Sequence, residues 1–322
     1  MIKKPVILCV LTFPLLFAAT VFADASNGKI QVSENEEGFR FTEDGADVLF
    51  YQRKHKSLDG SYRRANYIHP LFDLDGNVLT EDFPEDHAHH RGIYWAWHQV
   101  WVGDKQIGDP WIAKDFEWDV RGAKIEQCGP DSATLRVRVL WKSPHWTDGR
   151  GEQQPLVEET TAITVHSAAD NARKVDFEIK LLALENQIRI GGSEDEKGYG
   201  GFSLRIRLPP DIRFVGRVGE VEPQRQSVEA GPWLDMSARF GDTDVVSGLT
   251  VLSHSSLPGY PQRWILRRRG SMQNPVYPGQ HAVALSNETP LVLRYRLVIH
   301  QGHAEPTAIE RWQKEYAAVG ER

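Results

Sequence analysis

Val175-Asp176-Phe177-Glu178-Ile179-Lys180-Leu181 alternates apolar and charged side chains for seven residues. Successive side chains of an extended chain point to opposite faces, so this stretch reads as a strand with one buried and one wet face. The same period returns in Phe202, Leu204, Ile206 and Leu208 set against Ser203, Arg205 and Arg207. It returns again in Leu291, Leu293, Tyr295, Leu297 and Ile299 set against Arg294, Arg296 and His300. Residues 134–141, 159–166 and 245–252 add further strands, and Asp75-Gly76-Asn77, Asp148-Gly149-Arg150, Pro209-Pro210 and Leu257-Pro258-Gly259 supply turns between them. Helical spacing is confined to the tail, where Pro306-Thr307 precedes Ile309, Trp312 and Tyr316, with Glu310 and Lys314 on the other side. The expectation is an all-β chain, a large antiparallel sandwich of two sheets with a short C-terminal helix. No linker, repeat or charge run marks a boundary, so residues 27–322 are expected to form one domain.

The chain opens Met1-Ile2-Lys3-Lys4, continues as an apolar run to Val21, and reaches Val21-Phe22-Ala23 before Asp24. A basic start, a short apolar run and a small-x-small exit predict a signal peptide over residues 1–23 and a periplasmic or secreted product. The run contains Pro5, Thr12, Pro14 and Thr20 and falls short of the roughly 20 apolar residues of a membrane span. Loss of Lys3 and Lys4 leaves 36 basic against 44 acidic side chains, a formal charge of −8. That balance disfavours nucleic acid and anionic membranes as partners. Cys128 is then the lone cysteine, so packing rather than an intrachain disulfide must hold the fold.

Residues 82–98 read DFPEDHAHHRGIYWAWH and hold four of the twelve histidines. Imidazole donates, accepts or binds metal near neutral pH, which makes this segment the candidate site. An extended backbone would set His87 and His89 on one face and Asp86 and His90 on the other. With His69 or His55 brought in by folding, the first pair could form part of a divalent-metal site, although no cofactor is demanded by the sequence. They could equally move protons on a bound sugar or carbonyl compound, with His90, Arg91 and His69 orienting it. Arg91 has two equal readings, a fork to Asp82 or Glu85 and a ligand contact.

Seven of the ten tryptophans fall between Trp95 and Trp146. Aromatic faces stack on sugar rings, so Trp95 or Trp97 is expected to line a carbohydrate cleft. Lys197 and Tyr199, in the glycine-rich run Lys197-Gly198-Tyr199-Gly200-Gly201, could also reach a ligand. Arg263-Trp264 and Asn274-Pro275 form a further polar aromatic patch, more often structural.

His69-Pro70-Leu71, Asp75-Gly76, Thr80, Asp82-Phe83-Pro84, Asp86-His87 and His89-His90-Arg91-Gly92 together resemble the signature of a bacterial family labelled methane oxygenase PmoA. Residues 197–203, Trp233-Leu234-Asp235, Asn274-Pro275 and Tyr295-Arg296-Leu297 are similar to that family as well. The resemblance implies a galactose-mutarotase-like supersandwich, and the label implies a copper oxygenase. Mutarotase-like enzymes pair a histidine acid with a glutamate base. His87, His89 and His90 match the first, and no residue here matches the second.

Three readings follow. The leading one is an exported enzyme acting on a sugar or oxidised sugar derivative through His87 and His89. The others are a non-catalytic carbohydrate-binding module and a metal-dependent oxygenase.

Overall fold

The computed structural model describes residues 30–242 and 244–319. The signal-peptide reading of residues 1–23 lies outside them. Six strands make one sheet, in the order Ile30–Glu34, Gly38–Glu43, Ala46–Gln52, Tyr67–Leu71, Ile93–Ala96 and Gly201–Leu204. Nine make the other, with Glu117–Cys128, Ser132–Lys142, Val157–His166, Ala172–Ala183, Leu291–Gln301 and Ser247–Ser253 as its long members. Every strand pairing within these sheets is antiparallel. Three smaller sheets lie beside them.

The alternation that announced the fold is realised residue by residue. Val175, Phe177, Ile179 and Leu181 are buried, while Asp176, Glu178 and Lys180 are not. Across the pairing with Leu291–Gln301, Asp176 lies opposite Arg296 and Glu178 opposite Arg294, and both pairs are ion-paired, at 2.5 and 2.8 Å. Cross-strand pairs of this kind contribute roughly 0.2–1 kcal/mol each. Burial of each large apolar side chain contributes roughly 1.5–3 kcal/mol, so the inner face outweighs the ladder.

The two sheets face each other through that inner side. Phe177 on the nine-stranded sheet meets Trp95 and Phe202 on the six-stranded sheet, at ring-centroid distances of 6.2 and 5.2 Å. One carboxylate sits in this interior. Glu159 is fully buried and accepts hydrogen bonds from Asn66 Nδ2, Thr161 Oγ1 and the indole nitrogens of Trp95 and Trp141. A buried acceptor is tolerable because four donors replace its water.

One strand reading needs correction. Residues 202–208 are not a half-wet strand: regular pairing ends at Leu204, and Ser203 and Arg205 are buried. The cause is that the second face is covered: Asn274 Nδ2 donates to Ser203 Oγ at 3.2 Å, and Arg205 is ion-paired with Glu81 and Asp86. The strand expected over 245–252 is present as Ser247–Ser253, and it is buried on both faces. Its second face carries the Pro306–Ala317 helix, whose buried Ile309 and Tyr316 share an apolar cluster with Leu252 and Val298. No helix among the described residues is long and apolar enough to cross a membrane.

Candidate functional site

Two turns, rather than a strand, carry the histidines. His87 N–H bonds Pro84 O at 3.2 Å and His90 N–H bonds His87 O at 2.8 Å, which folds residues 84–90 back on themselves. The expected split of His87 and His89 from His90 therefore fails, because extended alternation does not survive a turn. The three rings gather instead: His87 stacks on His90 at 4.8 Å and 8°, and His89 meets His90 edge-on at 4.5 Å.

Around them lies a cleft of about 380 Å³. His87, His89, His90 and His98 line one part of it, Trp111 and Tyr199 another, and Lys197, Arg267, Arg269 and Met272 the rest. These groups come from the histidine turns, the exit of the Ile93–Ala96 strand, the loop after Lys105–Gly108, and the loops flanking Gly201–Leu204 and Asn274–Pro275. Two glycines let these segments close up. Gly198 has φ +58°, and a Cβ there would lie 2.7 Å from Gln280 N. Gly270 has φ +53°, and a Cβ there would lie 2.9 Å from the Asp86 carboxylate. Both positions are ones that glycine alone occupies without strain.

Charge in the site is organised by Arg205. This buried guanidinium donates to Glu81 at 2.6 Å and to both oxygens of Asp86, at 3.0 and 2.7 Å. Asp86 Oδ2 in turn lies 2.9 Å from His87 Nδ1. Burial opposes ionisation of Asp86, but hydrogen bonds from Arg205 and His87 outweigh it and hold the carboxyl well below the usual range. An ionised carboxylate only accepts, so neutral His87 carries its proton on Nδ1 and keeps Nε2 as an acceptor. The His87 side chain is 44% exposed, which opens it to the cleft.

A second pair of the same kind stands nearby. His98 Nδ1 lies 2.9 Å from Asp109 Oδ2, with its ring stacked on Trp111 at 5.4 Å and edge-on to Tyr199 at 5.0 Å. His98 Nε2 and His90 Nδ1 are buried with no hydrogen-bond partner among the described residues. Leaving such groups unmet costs roughly 1–3 kcal/mol each.

Burial governs His89 and His90. Burial first, then the Arg64 guanidinium, lowers His89 to about 4. Burial first, then the neighbouring His89 and His87, lowers His90 to about 2. Both are neutral at pH 7 and too weakly basic to be effective proton acceptors there. Of the pair expected at His87 and His89, His87 is the ring that stands exposed at the cleft.

Several expected site residues stand elsewhere. Arg91 is fully buried, forked onto Asp82 and Tyr67, and its guanidinium lies 3.5 Å from the centre of the Phe83 ring. It braces the histidine segment from behind, the structural one of its two readings. His69 Nδ1 faces Thr80 Oγ1 at 2.9 Å rather than the cleft. Trp95 and Trp97 are core residues, donating to Glu159 Oε1 and Tyr277 O. Lys197 and Tyr199 do line the cleft, with Lys197 Nζ 2.7 Å from Asp195. Asn274 is structural, its side chain bonded to Gly200 O, Phe202 O and Gly200 N.

Sequence reasoning held Trp111 only as one of the tryptophan cluster, and it missed Arg267, Arg269 and the organiser Arg205. The run Arg267-Arg268-Arg269-Gly270 was a visible signal, whereas Arg205 was disguised as the wet side of a strand. As to metal, parallel stacked rings such as His87 and His90 cannot aim their in-plane lone pairs at one ion. Among the described residues no group of three or more His, Cys, Asp or Glu side chains is placed to hold one.

A family model described as "Family of unknown function (DUF6807)" matches residues 39–313. No curated protein matches the chain. Among solved structures, one similar to it is titled "Crystal Structure of a putative mutarotase (YeaD) from Salmonella typhimurium in monoclinic form". That likeness has 8% identity and a TM-score of 0.34, covering 85% of this chain and 94% of the other. None of these carries a methane-oxygenase description, so the family label and the oxygenase activity expected from the resemblance find no support.

Proposed function

The chain belongs to this family of unknown function, and from that premise we propose that it is an enzyme acting on a sugar by histidine-centred acid/base chemistry. One observation carries the reading: Arg205 locks Asp86, and Asp86 orients the exposed His87 at the mouth of a cleft rich in hydrogen-bonding groups. A carboxylate that fixes the tautomer of an exposed imidazole is the arrangement a general base requires. His98, held by Asp109 and stacked on Trp111, gives the cleft a fixed wall beside it. The neutral His89 and His90, with Tyr199, act as hydrogen-bond partners for ring hydroxyls. No Asp or Glu side chain is among the residues lining the cleft, so proton removal falls to imidazole rather than to a glutamate. The binding-module reading loses its stacking platform, since Trp95 and Trp97 are core and Trp111 is only 1% exposed.

The test is proton NMR of galactose, glucose, galacturonate, glucuronate and their short oligomers with the wild-type protein and with His87→Ala. Conversion of at least one compound is expected with the wild type. It should drop by on the order of 10²-fold or more in the variant, at unchanged melting temperature. Binding without conversion, or conversion indifferent to His87, contradicts the proposal.

A further inference from the structure

The cleft carries a charge pattern that its acid/base groups do not use. Its cationic side chains are Lys197, Arg267 and Arg269, and none of the residues lining it is acidic. This is notable in a chain whose formal net charge is −6. Positive charge concentrated in one cleft of an acidic protein acts on a ligand locally, against the field of the whole molecule.

The three cations are not equivalent. Lys197 is already paired with Asp195 at 2.7 Å, so its charge is shared. Arg267 is half-buried, and its guanidinium donates to the backbone carbonyls of Gln224, Leu266 and Arg225, at 2.6, 2.7 and 2.8 Å. Those carbonyls fix its direction and leave its charge uncompensated. Arg269, two residues on, has no ion-pair partner among the described residues. Gly270 then seats the end of this loop against Asp86, placing the arginine run beside His87. Arg267 thus contributes mainly fixed charge, with its Nε–H and one Nη2–H still open, and the Arg269 fork supplies the paired N–H donors that match a planar or tetrahedral oxyanion.

We infer that the ligand is an anionic sugar, one bearing a carboxylate, sulfate or phosphate group that Arg267 and Arg269 hold while its ring lies against the histidines. This rests on the sugar-acting reading of the same cleft and narrows its substrate class. Lys197 then serves the anion through exchange with Asp195, and Tyr199 contributes ring surface rather than charge.

The experiment is calorimetric titration of the wild-type protein with galacturonate, glucuronate, galactose 6-sulfate and galactose 6-phosphate, against galactose and glucose, in 20 mM and 300 mM salt. At least one anionic sugar is expected to bind 10-fold or more tightly than its neutral counterpart, with an advantage that shrinks at high salt. Which anion binds best identifies the group. Arg267→Gln should abolish that advantage, and because Arg267 also ties down three carbonyls, the exposed Arg269→Gln provides a second variant that leaves the fold intact. Equal affinity for neutral and anionic sugars would overturn the inference and leave the sugar reading standing. Absence of binding by every sugar in the set would overturn both.

Discussion

Asp86 Oδ2 accepts from His87 Nδ1 at 2.9 Å while the same oxygen takes a second hydrogen bond from Arg205 at 3.0 Å. The orientation of the cleft's most exposed imidazole is thus set by a carboxylate that has no freedom of its own. Asp86→Asn offers one acceptor where two are needed. If its oxygen stays with Arg205, its amide faces His87 and forces the other tautomer, with the proton on Nε2. Turnover should fall by on the order of 10²-fold or more, and the fold should lose about 1–3 kcal/mol for the weakened charged contact. Kinetics and urea unfolding on one preparation separate the two effects.

Gly270→Ala tests the contact between the arginine loop and the same carboxylate. At φ +53° a side chain is strained, and its Cβ would stand 2.9 Å from Asp86 Oδ2. A stability loss of about 1 kcal/mol is expected from the backbone alone. Activity should fall well beyond what that loss explains, because Asp86 must move. Gly45, where a Cβ would meet nothing within 4 Å, is the control for positive φ without a neighbour.

Glu159→Gln tests the polar centre of the core. Two carboxylate oxygens take four donors there, and an amide nitrogen would confront at least one of them. A loss of about 2–3 kcal/mol is expected by chemical denaturation, since a buried donor would be left unmet. Unchanged stability would contradict the role given to this residue.

Stability should fall as pH drops below about 6.5. Burial lowers His55, His69 and His89 to about 4 and His90 to about 2 in the folded chain. Between pH 6.5 and 4 the unfolded chain binds protons at these rings and the folded chain does not, so each ring penalises folding by about 1.4 kcal/mol per pH unit at most. Partial exposure makes the real slope smaller. Calorimetric melting temperatures from pH 8 to pH 4.5 check the direction. His69→Asn, at a ring remote from the cleft, should flatten the slope without touching ligand binding.

The architecture was legible because strand period is a local property. Val175 to Leu181 displays it whatever lies around them, and the C-terminal helix was marked by Pro306 and the spacing of Ile309, Trp312 and Tyr316. Alternation misled where neighbours covered the second face, as Asn274 does for Ser203 and as Glu81 and Asp86 do for Arg205. The histidine segment was recognisable by composition alone, and Lys197 and Tyr199 fell on the right loop. Long-range partners were not legible: Arg205 lies 119 residues from Asp86, and Arg267 reaches the cleft from a separate loop. The tryptophans were overread, because indole serves as core filler as readily as it serves as a platform for sugar.

The central claim is that Asp86 sets His87 as the proton-transfer group facing the ligand. Long-range proton–nitrogen correlation spectra of protein labelled with 15N at histidine, recorded at pH 7.5 before and after adding galacturonate, address it directly. The account predicts that His87 carries its proton on Nδ1, that its Nε2 signal shifts on addition, and that His69 does not respond. A His87 protonated on Nε2 in the free protein, or one unmoved by a sugar that binds, would contradict it.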